Sequence, residues 1–140
     1  LLHEPLVAVM HEAHPLASEA SISGRQLAQE PFVFFAREVG TALYDEILRL
    51  LQNYAITPYI TQEVGEAMTI VGLVSAGLGV SILPASFMRI RVDGVKYLPL
   101  LEPDAVTEVW LVTARRHRLN AAAQTLVSLM LEPDRNKYVR

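Results

Sequence analysis

Three short stretches carry side chains whose type and spacing could do covalent or metal chemistry. Ser81 stands in Gly79-Val-Ser-Ile-Leu83, a glycine-led turn into an apolar run. A serine nucleophile needs a sharp turn and a base in reach, and the second glycine of that turn is absent. Ser81 therefore reads as a small core residue of a strand. His11-Glu-Ala-His14 has acceptable spacing for a metal pair, with Glu12 and Glu19 as further oxygens, but no closed ligand set follows. Nothing pairs His11, His14 or His117 with an aspartate, so each reads as a surface or loop histidine rather than a general base. Gly77-Leu-Gly79 lacks the third glycine of a dinucleotide fingerprint and follows a helical pattern instead of a strand. These readings assign no catalytic residue, no metal and no cofactor.

Ligand capture fits the residues better. Open α/β sheets bind ligands beyond the carboxyl ends of their strands. Two strand-to-helix junctions qualify. In Phe35-Ala-Arg-Glu-Val-Gly-Thr41, free backbone N–H groups could hold an anion and Arg37 could add a charge-assisted bond to a carboxylate. The alternative for Arg37 is a surface arginine paired with a nearby acid. In Val64-Gly-Glu-Ala-Met68, Val64 and Met68 could offer apolar contact, or the junction is ordinary capping with Met68 in the core. Phe34 and Phe35 should divide between core and cleft, because neighbours in a strand face opposite ways. The candidate ligand-binding residues are Phe35, Ala36, Arg37, Val64 and Met68.

The elements that would hold these junctions follow from the apolar pattern. Strands are expected at Leu6–Met10, Phe32–Phe35, Pro58–Val64, Val80–Leu83, Val95–Leu100 and Val106–Thr113. A helix with Thr41 as cap carries Leu43, Ile47, Leu50, Leu51 and Tyr54 on one side, with Asn53 helping to close it. A second runs from Glu66 to Ser75 with Ala67, Ile70, Val71 and Val74 inward. Gly77 should end it and Gly79 should permit a tight approach into the next strand. Short helical turns are expected around Leu27 and Ala28 and after Pro84. Asn120 caps a last helix with Ala122, Ala123, Leu126, Val127 and Met130 inward. The order β-β-α-β-α-β-β-β-α predicts an α/β fold with a mixed, mostly parallel sheet covered on both faces.

Composition narrows the function classes. The 140 residues are 51 % apolar, which excludes disorder. A formal charge of -3 lacks the basic face of a free-standing nucleic-acid binder, and the one dense basic cluster, Arg115-Arg-His-Arg118, reads as a solvated loop. The absence of cysteine removes thiolate chemistry and fits a cytoplasmic setting. Residues 67–88 carry no charge, a length that could span a bilayer. Gly72, Gly77, Gly79 and Pro84 interrupt them, so a helix followed by a buried strand explains them better than a membrane segment. The start at Leu1 reads as an internal piece of a longer protein, and Leu1-Leu-His-Glu-Pro5 lacks the apolar core of a signal peptide.

Several of these stretches also carry a family resemblance. Glu4-Pro-Leu-Val-Ala-Val9 with His14-Pro-Leu-Ala17, Glu30-Pro-Phe-Val-Phe-Phe35, and above all Gly72-Leu-Val-Ser-Ala-Gly-Leu-Gly-Val-Ser-Ile-Leu-Pro-Ala-Ser86 resemble the effector-binding region of LysR-type transcriptional regulators. Tyr97-Leu-Pro-Leu100 and Leu101-Glu-Pro-Asp-Ala-Val-Thr107 are similar to the subgroup that senses muconate, benzoate or chlorocatechol-derived acids.

The resemblance implies a type-2 periplasmic-binding-protein-like fold whose ligand lies between two lobes. Residues 1–93 would be the second lobe, 94–131 the return segment toward the first lobe, and 132–140 a C-terminal tail. The DNA-binding region and the opening part of the effector domain would lie outside the chain. The implied function is effector sensing and oligomerisation without catalysis. The implied partners are a small organic acid and further copies in a dimer or tetramer, with DNA bound only through the missing N-terminal domain and no membrane. Many relatives have proline where Ala36 stands and small hydroxyl residues just after, and Ala36 and Arg37 depart from that pattern. A solute-binding receptor for a small organic anion, or an enzyme built on the same scaffold, remains an alternative.

Overall fold

The computed structural model describes residues 2–39, 41–114 and 119–131. The Arg115–Arg118 cluster, the tail 132–140 and the side chain of Thr41, the expected cap, lie outside the described residues. In chain order the elements are β1 (Leu2–His11), α1 (Gly24–Leu27), β2 (Pro31–Phe35), α2 (Thr41–Asn53), β3 (Tyr59–Val64), α3 (Ala67–Ser75), β4 (Ser81–Pro84), β5 (Val95–Pro99), β6 (Val106–Val109) and α4 (Ala121–Leu131). Short 3-10 turns follow β1 at Pro15–Ser18 and β4 at Ala85–Arg89.

Two compact units divide the chain. The larger holds Glu4–Thr107, and the smaller holds Leu1–His3 with Glu108–Arg140. In the larger unit β1 pairs antiparallel with β4 on one side and β5 on the other. β2 and β3 pair in parallel, and a parallel bridge from Phe32 to Val80 brings β2 beside β4. The sheet is mixed, as expected. Its parallel share is smaller than expected, because β1 runs against both β4 and β5. β2 runs parallel to β3, which it reaches through α2, and to the start of β4, which follows through α3.

The core forms where the sequence is most apolar. Phe32, Val33 and Phe34 have no exposure and Phe35 only 6 %. The expected split of Phe34 and Phe35 between core and cleft is therefore not met. β2 is a central strand with both faces covered, so alternation sends its side chains into two buried layers. Phe34 meets Tyr44 of α2 with ring centroids 4.8 Å apart, while α3 packs against β2. Each fully buried phenylalanine contributes about 2–3 kcal/mol relative to exposure. α2 buries Ile47, Leu50 and Leu51, and α3 buries Ile70, Val71 and Val74, the i, i+3, i+4 stripes read from the sequence.

Helix ends show where local chemistry wins. Gly77 has φ +75, and the Gly77 and Leu78 amides donate to Val74 and Leu73, which closes α3. α2 closes the same way, through the Ala55 and Ile56 amides on Gln52 and Leu51, with Ala55 at φ +53. Asn53 was expected to help; the left-handed residue after the helix does the work instead. A side chain at Gly79 would run into the Pro31 carbonyl, so the tight approach there is real. Ser23 and Gln26 form a reciprocal capping box on α1, legible in Ser-Gly-Arg-Gln but not picked out from the sequence.

In the smaller unit Asn120 accepts the Ala123 amide at 2.8 Å and caps α4 as expected. The expected inward face of α4 is corrected. Ala122, Leu126 and Met130 are exposed, and only Ala123 and Val127 of that set are half-buried. β6 ends at Val109, short of the expected Thr113, and Trp110 and Val112 beyond it are 74 % and 86 % exposed. No helix among the described residues is long and apolar enough to cross a membrane.

Candidate functional site

Parallel pairing of β2 with β3 sends both strands out of the sheet at one edge, with Phe35 opposite Val64. The next amide, Ala36, still donates to the Val64 carbonyl at 2.8 Å. Two strand-to-helix turns, distant in sequence, are thus tied at their roots. The first turn closes through Val39 N–H on the Ala36 carbonyl at 3.1 Å. Val39 is 62 % exposed, and its γ carbons lie 3.8 Å from where a side chain on Gly65 would begin.

The second turn enters α3 through Glu66, in extended conformation and without a side-chain capping bond. The first helical bonds are those of Thr69 and Ile70 to the Glu66 carbonyl. The first amides of a helix have no partner within the helix itself. Met68 is 47 % exposed in this first turn, so it is not core. Val64 is half-buried.

Of the five expected site residues, the fold brings Ala36 and Val64 into direct contact and keeps Met68 on the adjoining turn. Phe35 supports the edge from behind, 6 % exposed against Phe34. Arg37 is exposed and lines a hollow of about 430 Å³ with Tyr44, Asp45, Leu48, Arg49 and Gln52 along α2. It is the only basic side chain in either turn, beside the exposed Glu38 and Glu66. Val39, outside the five expected residues, is a further exposed apolar side chain of the first turn. Its signal was weak, a lone apolar residue in a polar turn.

The rival chemistries meet specific obstacles. Ser81 is fully buried and its hydroxyl donates to the Val33 carbonyl at 2.7 Å, which ties β4 to β2. The Nδ1 atoms of His11 and His14 accept the backbone amides of Ala13 and Leu16. His14 Nε2 lies 3.4 Å from Glu30. Both histidines therefore hold local backbone. His117 lies outside the described residues.

The LysR substrate binding domain family matches residues 1–134. The HTH-type transcriptional regulator YnfL of Escherichia coli K12, itself described as uncharacterized, is 56 % identical over 89 % of the chain. The chain spans only 42 % of that relative. Among solved structures, the effector binding domain of QuiR in complex with shikimate superposes with TM-score 0.79 at 32 % identity, covering 94 % of this chain and 61 % of that one. The BenM effector binding domain with its effector benzoate gives 0.70 at 28 % identity, covering 75 % and 48 %.

Proposed function

The chain belongs to the LysR substrate binding domain family, and on that premise we propose that it senses a small organic acid for a DNA-binding transcription regulator in the cytoplasm. The family is a binding module and its work is recognition without catalysis. The observation that carries the reading is the Ala36–Val64 hydrogen bond, which ties two strand-to-helix turns together at the carboxyl edge of a parallel strand pair, the place where open α/β sheets take ligands.

On this reading Ala36, Val39, Val64 and Met68 contact the apolar body of the ligand, and Phe35 stiffens the wall. Arg37 and the first amides of α3 take the carboxylate. The QuiR and BenM structures hold shikimate and benzoate, both cyclic carboxylic acids, which supports a small organic acid, and benzoate supports the aromatic class within it. Residues 1–93 act as the second lobe, 94–131 as the return segment and 132–140 as a tail. Ligand binding between lobes favours one lobe arrangement and so shifts its population. Self-association into a dimer or tetramer, and DNA contact through an N-terminal domain, complete the proposal.

Calorimetric titration of the complete effector domain with benzoate and muconate tests it. Binding that weakens about tenfold in Arg37→Ala is expected from loss of a charge-assisted bond. Unchanged affinity removes the arginine from the site, and no binding of either acid removes the aromatic-acid class.

A further inference from the structure

α2 is held on one flank by two short hydrogen bonds that the ligand site does not use. Thr107 Oγ1 donates to Glu46 Oε2 at 2.6 Å, and the Tyr54 hydroxyl donates to Asp104 Oδ1 at 2.6 Å. Glu46, Leu50 and Tyr54 form one i, i+4 stripe, and Leu50 between them is buried. The segment Asp104–Thr107 turns through the Val106 amide on the Asp104 carbonyl at 2.9 Å and runs against the stripe in direction, with Thr107 on Glu46 and Asp104 on Tyr54 just past the end of α2. Its approach is anchored once more, where the Gly24 amide donates to Glu102 Oε1 at 2.8 Å at the start of α1.

What makes this clamp more than local packing is where its ends lie. α2 starts directly after the turn that holds Ala36 and Val39. Thr107, buried to 9 % exposure, is the last residue of the larger compact unit, and Glu108 opens the smaller one. A single helix thus touches both the ligand-facing turn and the point where the chain leaves the unit. Its buried stripe of Ile47, Leu50 and Leu51 resists bending, so a displacement at one end reaches the other as a rigid shift.

We propose that α2 couples the Ala36–Val39 turn to the exit segment 104–107, with the Glu46–Thr107 and Tyr54–Asp104 bonds as its two fixing points. The inference rests on the sensing reading for its biological meaning. Its mechanical content stands without a ligand. Breaking the exit-side bond loosens the ligand-facing turn at the other end of the helix, and tightening the turn protects the exit segment.

Amide hydrogen exchange of the full-length protein without ligand tests it. The Ala36 and Val39 amides are both hydrogen-bonded and serve as reporters. Thr107→Val is expected to raise exchange at both by about tenfold, the loss of one bond to a charged acceptor. Glu46→Gln should give a smaller increase, and Thr107→Ser, which keeps the hydroxyl, none. Changes confined to residues 102–107 in Thr107→Val and Glu46→Gln overturn the proposal. Adding benzoate and then shikimate to the wild type separates the two questions. Failure of either acid to protect Ala36 counts against the sensing reading, while the coupling through α2 still stands or falls on the ligand-free variants.

Discussion

The Ala36 amide and the Val64 carbonyl meet at 2.8 Å, one step past the last ladder pair of β2 and β3. This bond prolongs the parallel pairing into the two turns. It fixes their spacing while Val39 and Met68 stay open to solvent. A ligand wall needs that combination, a backbone that does not move and side chains not yet satisfied.

Met68→Asp separates ligand contact from folding. Met68 is 47 % exposed, so little burial is lost, and an acid in the first turn of α3 suits the helix dipole by about 0.3–1 kcal/mol. The urea midpoint of the variant should stay near wild type. Benzoate affinity of the complete effector domain should fall at least about tenfold, from lost apolar contact and charge repulsion. Wild-type affinity in calorimetry would take the α3 turn out of the ligand wall.

Tyr54→Phe should change the shape of the pH–stability curve. The Tyr54 hydroxyl holds the Asp104 carboxyl below its ordinary 3.8. That stabilisation is present above pH 3.8 and is lost as pH falls through the lowered value. Conversely, the bond to Asp104, then desolvation, then the charges of Asp104 and Glu102 raise Tyr54 above its ordinary 10.0. This contribution is present below pH 10.0 and is lost as pH rises through the raised value. Thermal midpoints recorded from acid to alkaline pH should therefore fall less steeply at both ends in Tyr54→Phe. Parallel curves for variant and wild type would show that the two groups do not sense each other.

The order of strands and helices was legible because each follows a short-range rule. The inward stripe of α3, the terminator Gly77 and the cap Asn120 all depend on residues within one or two turns. What escaped were properties set by distant partners. The burial of both Phe34 and Phe35 depends on helices covering two faces of β2, and a single strand carries no signal for that. The antiparallel sense of β1 depends on pairings across most of the chain. The exposed side of α4 reads inward by periodicity alone, since apolar spacing says which residues share a face but not whether anything covers it. At the site, the two junctions were legible as strand ends before helices. The position of Val39 beside Gly65 was not, because it depends on the meeting of two turns distant in sequence.

Ser81→Ala tests the distinction between a buried strut and a nucleophile. The hydroxyl donates to the Val33 carbonyl in a fully buried setting. Its removal leaves that carbonyl without this donor and should cost about 1 kcal/mol in urea unfolding. Ligand affinity should not change. An ester-hydrolysing activity present in wild type and absent in Ser81→Ala would restore the enzyme alternative.

The ends of α2 and α3 give a matched pair of stability predictions. Ala55 and Gly77 occupy the same left-handed position after their helices, with the same two closing hydrogen bonds. Alanine there costs about 1–2 kcal/mol in backbone sterics, while glycine costs about 0.4–1 kcal/mol through the freedom of the unfolded chain. Ala55→Gly should therefore stabilise the protein by about 0.5–1 kcal/mol. Gly77→Ala should destabilise it by a similar amount. A side chain at Gly77 would meet nothing within 4 Å among the described residues, so the effect there is conformational. Chemical denaturation of both variants reads the two signs directly. A destabilised Ala55→Gly would mean that the Ala55 methyl group contributes packing worth more than the strain it imposes.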